Sequence, residues 1–140
     1  MADTLLLVED SPADIELVKE VLVEFENDIE LKLAKNGVEA LEYLESAAEG
    51  EKPLPGLILL DLDMPKMDGF EVLENIKNNE DYCQIPAAVF TMSNAREDIV
   101  RAYKAGANCC ITKPLGFEEF NQIMQALNNF WFEIVNLPDR

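Results

Sequence analysis

The chain has 140 residues, 49 % apolar and 28 % charged, with 28 acidic against 11 basic side chains and a formal net charge of −17. That length holds one domain with a real core and leaves no room for a second catalytic module, and so acidic a surface repels phosphate backbones and argues against direct nucleic-acid binding. Three cysteines, two of them adjacent at Cys109 and Cys110, make neither a disulfide framework nor a CxxC metal site, and no apolar run approaches the roughly 18 residues of a membrane span.

A cytoplasmic protein with reduced thiols is therefore expected, and Met1-Ala2-Asp3-Thr4 lacks the basic flank of a secretory signal. Leu5-Leu6-Leu7-Val8 reads as a strand buried on both faces, ending in Glu9 and Asp10. Ser11-Pro12-Ala13-Asp14 reads as a helix start, with Ser as N-cap and Pro at the first helical position. Ile15, Val18, Leu22 and Phe25 then repeat at helical spacing until Asn27-Asp28 breaks the pattern. Ile29, Leu31 and Leu33 alternate with polar residues, as in a strand near a sheet edge.

Asn36-Gly37 turns into a second helix with Val38, Leu41 and Leu44 facing inward, and residues 47–55 form a solvated loop. Leu57-Ile58-Leu59-Leu60 is the next apolar strand. Asp61 follows at once, then Asp63, Pro65 (which cannot continue a ladder) and the turn Asp68-Gly69 that opens a third helix. Ile85 to Phe90 is a fourth apolar run, ending in Thr91, and a helix that starts in Ser93-Asn94-Ala95-Arg96-Glu97 closes at Ala105-Gly106. A short fifth strand over 108–112 leads to Lys113-Pro114. The last helix carries Phe117, Phe120, Met124, Leu127, Trp131 and Ile134 at alternating steps of three and four. Five βα units in this order imply a parallel sheet with helices on both faces and the third strand central.

The residues ending these strands are Glu9 and Asp10, Asp61, Thr91 and Lys113, all at the carboxyl edge where ligands bind in open parallel sheets. Clustered carboxylates repel unless a cation sits between them, and an oxygen-only donor set points to a hard ion, Mg²⁺. An Asp carboxylate can act as a nucleophile toward phosphorus, and Mg²⁺, an ammonium and a hydroxyl could neutralise the phosphoryl oxygens. Asp61 is thus a candidate phosphoacceptor, with Thr91 and Lys113 as its partners.

On these residues the sequence resembles the receiver domains of two-component response regulators over essentially its whole length. The matching motifs are Leu7-Val8-Glu9-Asp10-Ser11, the segment from Asp61 to Gly69, Thr91, and Ala105-Gly106-Ala107 leading to Lys113-Pro114. The resemblance implies a flavodoxin-like (βα)5 fold with strand order 2-1-3-4-5, the order quoted in general for such folds. It implies Asp61 as phosphoacceptor and Glu9, Asp10, Asp61 and the main-chain carbonyl of Asp63 as Mg²⁺ ligands. Thr91 is then the switch hydroxyl, and Lys113 the phosphate partner ahead of a cis Pro114. The chain is expected to be a single receiver domain over residues 1–140, extended by a helix end and tail from about residue 128.

The acidic loop before the third strand and the tail from Phe130-Trp131 to Leu137-Pro138 resemble the small regulators that serve phytochrome-type histidine kinases. That implies a sensor histidine kinase as partner, output through protein contact, and a homodimer through the last helix and tail. The protein is expected to be a signalling phosphoacceptor, catalysing only its own phosphorylation and slow dephosphorylation. Having no histidine, it takes the phosphoryl group from a partner or a small molecule.

Two positions depart from the family pattern. Cys110 stands where receivers usually carry an aromatic that swings inward, and Met92 stands where a small residue is usual, so switching and acyl-phosphate lifetime are expected to differ. The alternative from another class is a haloacid dehalogenase-type phosphohydrolase, in which Asp61 is the nucleophile and Asp63 the general acid/base. Its motif order is the reverse of the order here.

Overall fold

The computed structural model describes residues 3–64 and 66–138, so Pro65 and the residues at both extremes of the chain lie outside the description. Five parallel strands, β1 (Asp3–Val8), β2 (Ile29–Ala34), β3 (Leu57–Leu60), β4 (Ala87–Thr91) and β5 (Cys109–Thr112), lie in the order β2-β1-β3-β4-β5. The order is the expected one, with β3 in the middle and the alternating strand β2 at an edge. Helices α1 (Pro12–Val23), α2 (Gly37–Ala48), α3 (Gly69–Lys77), α4 (Arg96–Ala105) and α5 (Phe117–Asn128) connect and flank the strands. A π-helical segment, Asn129–Ile134, follows α5 directly.

The three inner strands β1, β3 and β4 are dominated by apolar runs because helices cover both faces. Leu6, Val8, Ile58, Leu60, Ala87 and Val89 pack against α2, α3 and α4, through residues such as Leu44, Leu73 and Ala102. Their alternates Leu5, Leu7, Leu57, Leu59, Ala88 and Phe90 pack against α1 and α5, through Val18, Val21, Phe120 and Met124. A one-residue slip of any strand would exchange the two faces, and this division therefore fixes the register.

Several helix starts follow the expected local chemistry. Ser11, Asn36 and Asp68 cap α1, α2 and α3, each accepting from the backbone N–H three residues on. Gly106 ends α4 in the left-handed region at φ 113°. Its missing Cβ also leaves room for Lys77, since a Cβ there would stand 2.4 Å from the Lys77 Cγ. Lys77 fastens the polar break between α3 and β4, donating to the Ile85 and Cys83 carbonyls at 2.8 and 3.1 Å.

The helix after Thr91 begins within the expected stretch, at Arg96 with Ala95 as its N-cap. The Ser93 hydroxyl donates to Asp98 Oδ2 at 2.6 Å. Other expectations need correction. Helix α2 runs on to Ala48, and the loop behind it is held down: the Tyr43 hydroxyl donates to the Pro53 carbonyl at 2.8 Å, and Pro55 and Gly56 are buried. Val38 and Phe117 are exposed rather than core; in α2 the inner face of the first turn is taken by the buried Gly37 and Ala40 instead. No cis peptide occurs among the described residues, so the Lys113–Pro114 bond is trans, the isomer an X–Pro bond favours by about 0.5–1 kcal/mol in the absence of other constraints.

The tail is partly core. Phe132 and Leu137 are buried with Phe120, Met124 and Leu127, whereas Phe130 and Ile134 remain exposed. Asn128, buried at the end of α5, exchanges two amide hydrogen bonds with Asn27, at 2.8 and 2.9 Å, pinning the α1–β2 turn to the helix.

Candidate functional site

The carboxyl ends of β1, β3, β4 and β5 meet at one edge of the sheet, and each delivers a polar side chain that its strand has carried into the interior. Glu9, Asp61, Thr91 and Lys113 are all buried, and Asp10 is exposed. Lys113 Nζ lies 2.5 Å from Glu9 Oε1, 2.8 Å from Asp14 Oδ2 and 3.8 Å from Asp61 Oδ2. The second Glu9 oxygen, Oε2, accepts from the Ser11 backbone N–H at 3.2 Å, which ties the acid to the start of α1.

Asp61 is held by its own loop. The Gly69 N–H donates to the Leu62 carbonyl at 3.0 Å, folding the start of α3 back onto the strand end. Lys66, between them, takes a left-handed conformation at φ 70°, which is costly for a residue with a Cβ and marks a tight reversal. The Asp61 carboxyl is pushed up to about 7, first by burial and then by the nearby charge of Glu9; the Lys113 ammonium and the Asp63 backbone N–H act in the opposite direction. Such a group needs positive charge close by in order to ionise fully at neutral pH.

Glu9, Asp10 and Asp61 each offer a carboxylate oxygen, and the three oxygens lie within 4.8 Å of one another. Oxygens on opposite sides of a Mg²⁺ ion stand about 4.2 Å apart, so a hard divalent cation fits among them with small side-chain adjustments. The donors are carboxylates alone, which suits such an ion and not a soft one. Thr91 ends β4, and its hydroxyl accepts from the Ser93 N–H at 3.4 Å. Asp63 is exposed, and its backbone N–H serves the Asp61 carboxylate.

Of the residues singled out in the sequence, Glu9, Asp10, Asp61 and Lys113 come together directly, and Thr91 lies at the same sheet edge. Asp14 was missed. Its position three after a capping Ser reads as first-turn helix chemistry, and nothing in its surroundings in sequence points to a lysine 99 residues away. Met92 is exposed and lines a cavity of about 210 Å³ beside the site, together with Asp14, Leu17, Lys113 and Phe117. At Cys110 the missing aromatic has a neighbour of another kind: the Cys110 N–H donates to the Tyr103 hydroxyl of α4 at 3.2 Å.

A doubly wound parallel sheet with acids, a hydroxyl and an ammonium at its carboxyl edge defines the class, a receiver-type signalling module. The chain belongs to the response regulator receiver domain family, whose pattern it matches over residues 5–126. It is 43 % identical over 135 residues to response regulator Rcp1 of Synechocystis sp., covering 96 % of this chain and 92 % of that protein. The crystal structure of the Mn²⁺-bound form of Rcp1 superposes with a TM-score of 0.89 at 42 % identity, covering 97 % of this chain and 99 % of that one. The phosphorylated cyanobacterial phytochrome response regulator RcpA superposes with a TM-score of 0.92 at 36 % identity, covering 99 % of each chain. The dehalogenase-type use of Asp61 and Asp63 finds no support in these similarities. Among the described residues, no helix is long and apolar enough to cross a membrane.

Proposed function

We propose that this protein is a response regulator whose Asp61 accepts a phosphoryl group from a sensor histidine kinase of the phytochrome type. An Asp61 oxygen forms the new bond to phosphorus as the bond from phosphorus to the donor imidazole nitrogen breaks, the electron pair leaving with the nitrogen. Glu9, Asp10, Asp61 and the main-chain carbonyl of Asp63 would hold Mg²⁺, which would supply charge neutralisation for Asp61 and for the phosphoryl oxygens. Lys113 pairs with one phosphoryl oxygen and the Thr91 hydroxyl donates to another.

The observation that carries this reading is the buried Asp61 carboxylate, 3.8 Å from the Lys113 ammonium and clustered with Glu9 and Asp10. The similarity to a phosphorylated phytochrome response regulator supports the role of Asp61 and the choice of kinase. The Mn²⁺-bound relative supports a divalent cation at the acidic cluster.

Output passes through protein contact in the cytoplasm, without nucleic acid, since a chain of net charge −17 repels phosphate backbones. We read the whole chain as one receiver with a C-terminal extension that forms a homodimer. An apolar groove of about 600 Å³ runs along the edge strand β5 and α5, lined by Cys109, Ile111, Ile123, Leu127, Phe130 and Trp131. A second copy would cover both the groove and an exposed strand edge.

Incubation with acetyl phosphate and Mg²⁺ tests the phosphoacceptor role. One phosphoryl group per chain is expected, and none in Asp61→Asn; uptake that survives the substitution would overturn it.

A further inference from the structure

We infer that Asp14 is a positioning residue that holds the Lys113 ammonium back from Asp61, keeping an Asp61 oxygen open to a divalent cation and to the incoming phosphoryl group. The inference rests on the phosphoacceptor reading above.

An ammonium has three N–H donors. Two of those on Lys113 are engaged, by Glu9 Oε1 at 2.5 Å and by Asp14 Oδ2 at 2.8 Å, and at 3.8 Å the distance to Asp61 Oδ2 is beyond a hydrogen bond. Asp14 is available for this because its own first-turn duty falls on its backbone: the Asp14 N–H, not the carboxylate, bonds the Ser11 hydroxyl, at 3.4 Å. Its side chain is 29 % exposed against 6 % for that of Lys113, so the carboxylate stays hydrated while it anchors a buried cation.

With Asp14 neutralised, the ammonium loses its outward pull, and Asp61 is the buried carboxylate left without a short contact to it. Closing the 3.8 Å gap would seat the lysine on the oxygen that cation and phosphoryl group both need. Lys113 and the cation then compete for the same charge. The separation matters in its own right, because a phosphoryl oxygen must fit between the Asp61 oxygen and the ammonium.

Titration of Mg²⁺ alone by calorimetry tests this in the wild type, Asp14→Asn, Asp14→Glu, Lys113→Met and the Asp14→Asn/Lys113→Met double variant, each checked for folding by circular dichroism. Asp14→Asn keeps the size of the side chain and the backbone cap. It is expected to weaken Mg²⁺ binding by about tenfold, the usual scale for partners behind a metal ligand, and to slow phosphorylation by acetyl phosphate in parallel. Asp14→Glu retains the anion and is expected to stay within about twofold to threefold of wild type. In the Lys113→Met background, adding Asp14→Asn should change the affinity less than about twofold, since only a screened, part-exposed charge is then lost. Wild-type affinity in Asp14→Asn, or a tenfold effect that persists without Lys113, would overturn the inference and leave the phosphoacceptor reading standing. A wild-type protein that neither binds Mg²⁺ nor takes up phosphate would overturn both.

Discussion

Gly69 lies against the backbone that carries Asp61: a Cβ at Gly69 would stand 2.6 Å from the Asp61 carbonyl oxygen and 2.6 Å from the Leu62 Cα. Both atoms are main chain, so neither can step aside as a flexible side chain would. The first residue of α3 is thereby packed directly on the loop that presents the phosphoacceptor.

Gly69→Ala is accordingly expected to push that loop outward. Overpacking of this kind costs about 1–3 kcal/mol, read as a lower midpoint in urea denaturation with unchanged slope. Phosphorylation by acetyl phosphate should fall as well, because Asp61 moves relative to Glu9 and Lys113.

Burial and Glu9 raise the Asp61 carboxyl from an ordinary value of 3.8 to about 7, and this makes the protein's stability depend on pH. Below about pH 4 the group is protonated both folded and unfolded, and it costs nothing. Between about 4 and 7 the folded state holds a proton that the unfolded state has lost, so stability declines as pH rises through this window. Above it, the full cost of an ionised buried carboxylate is present. Asp61→Asn is expected to be more stable than wild type by roughly 1–3 kcal/mol at about pH 8 without divalent cations, the difference fading toward pH 4. Thermal melts across that range check it, and added Mg²⁺ should narrow the gap by stabilising the wild type alone.

Met92 is exposed and lines the cavity beside Lys113, where its bulk is expected to narrow the access of water to a phosphoryl group on Asp61. Its replacement in Met92→Ala is expected to shorten the lifetime of the aspartyl phosphate by about 2–10-fold, equivalent to roughly 0.4–1.4 kcal/mol off the hydrolysis barrier. Following loss of phosphate from the labelled protein after removal of the donor measures it; an unchanged rate would show that Met92 does not limit access.

For the proposed homodimer, the structure separates the residues to change from those to leave alone. Phe132 and Leu137 are buried in the core beneath α5, so cutting the chain after Leu127 would damage the fold itself. Phe130 and Ile134 are 48 % and 64 % exposed. Phe130→Glu with Ile134→Glu is expected to leave the circular dichroism spectrum unchanged while sedimentation shifts from dimer to monomer.

The alternation of strands and helices, the central place of β3 and the gathering of Glu9, Asp10, Asp61 and Lys113 at one sheet edge were legible in the sequence. Each rests on signals within a few residues: uninterrupted apolar runs such as Leu57–Leu60, caps such as Ser11 and Asp68, and polar residues placed immediately after strands. Alternating strands and helices admit few arrangements, because crossovers are right-handed and both sheet faces must be covered. What only tertiary structure decided depends on partners distant in the chain. Asp14 meets Lys113 across 99 residues, and Asn27 meets Asn128 across 101. Phe132 and Ile134 are two residues apart and equally apolar, yet one is core and the other faces solvent. Apolar periodicity states that a helix has an inner face; only the packed neighbours determine where along its length that face is covered.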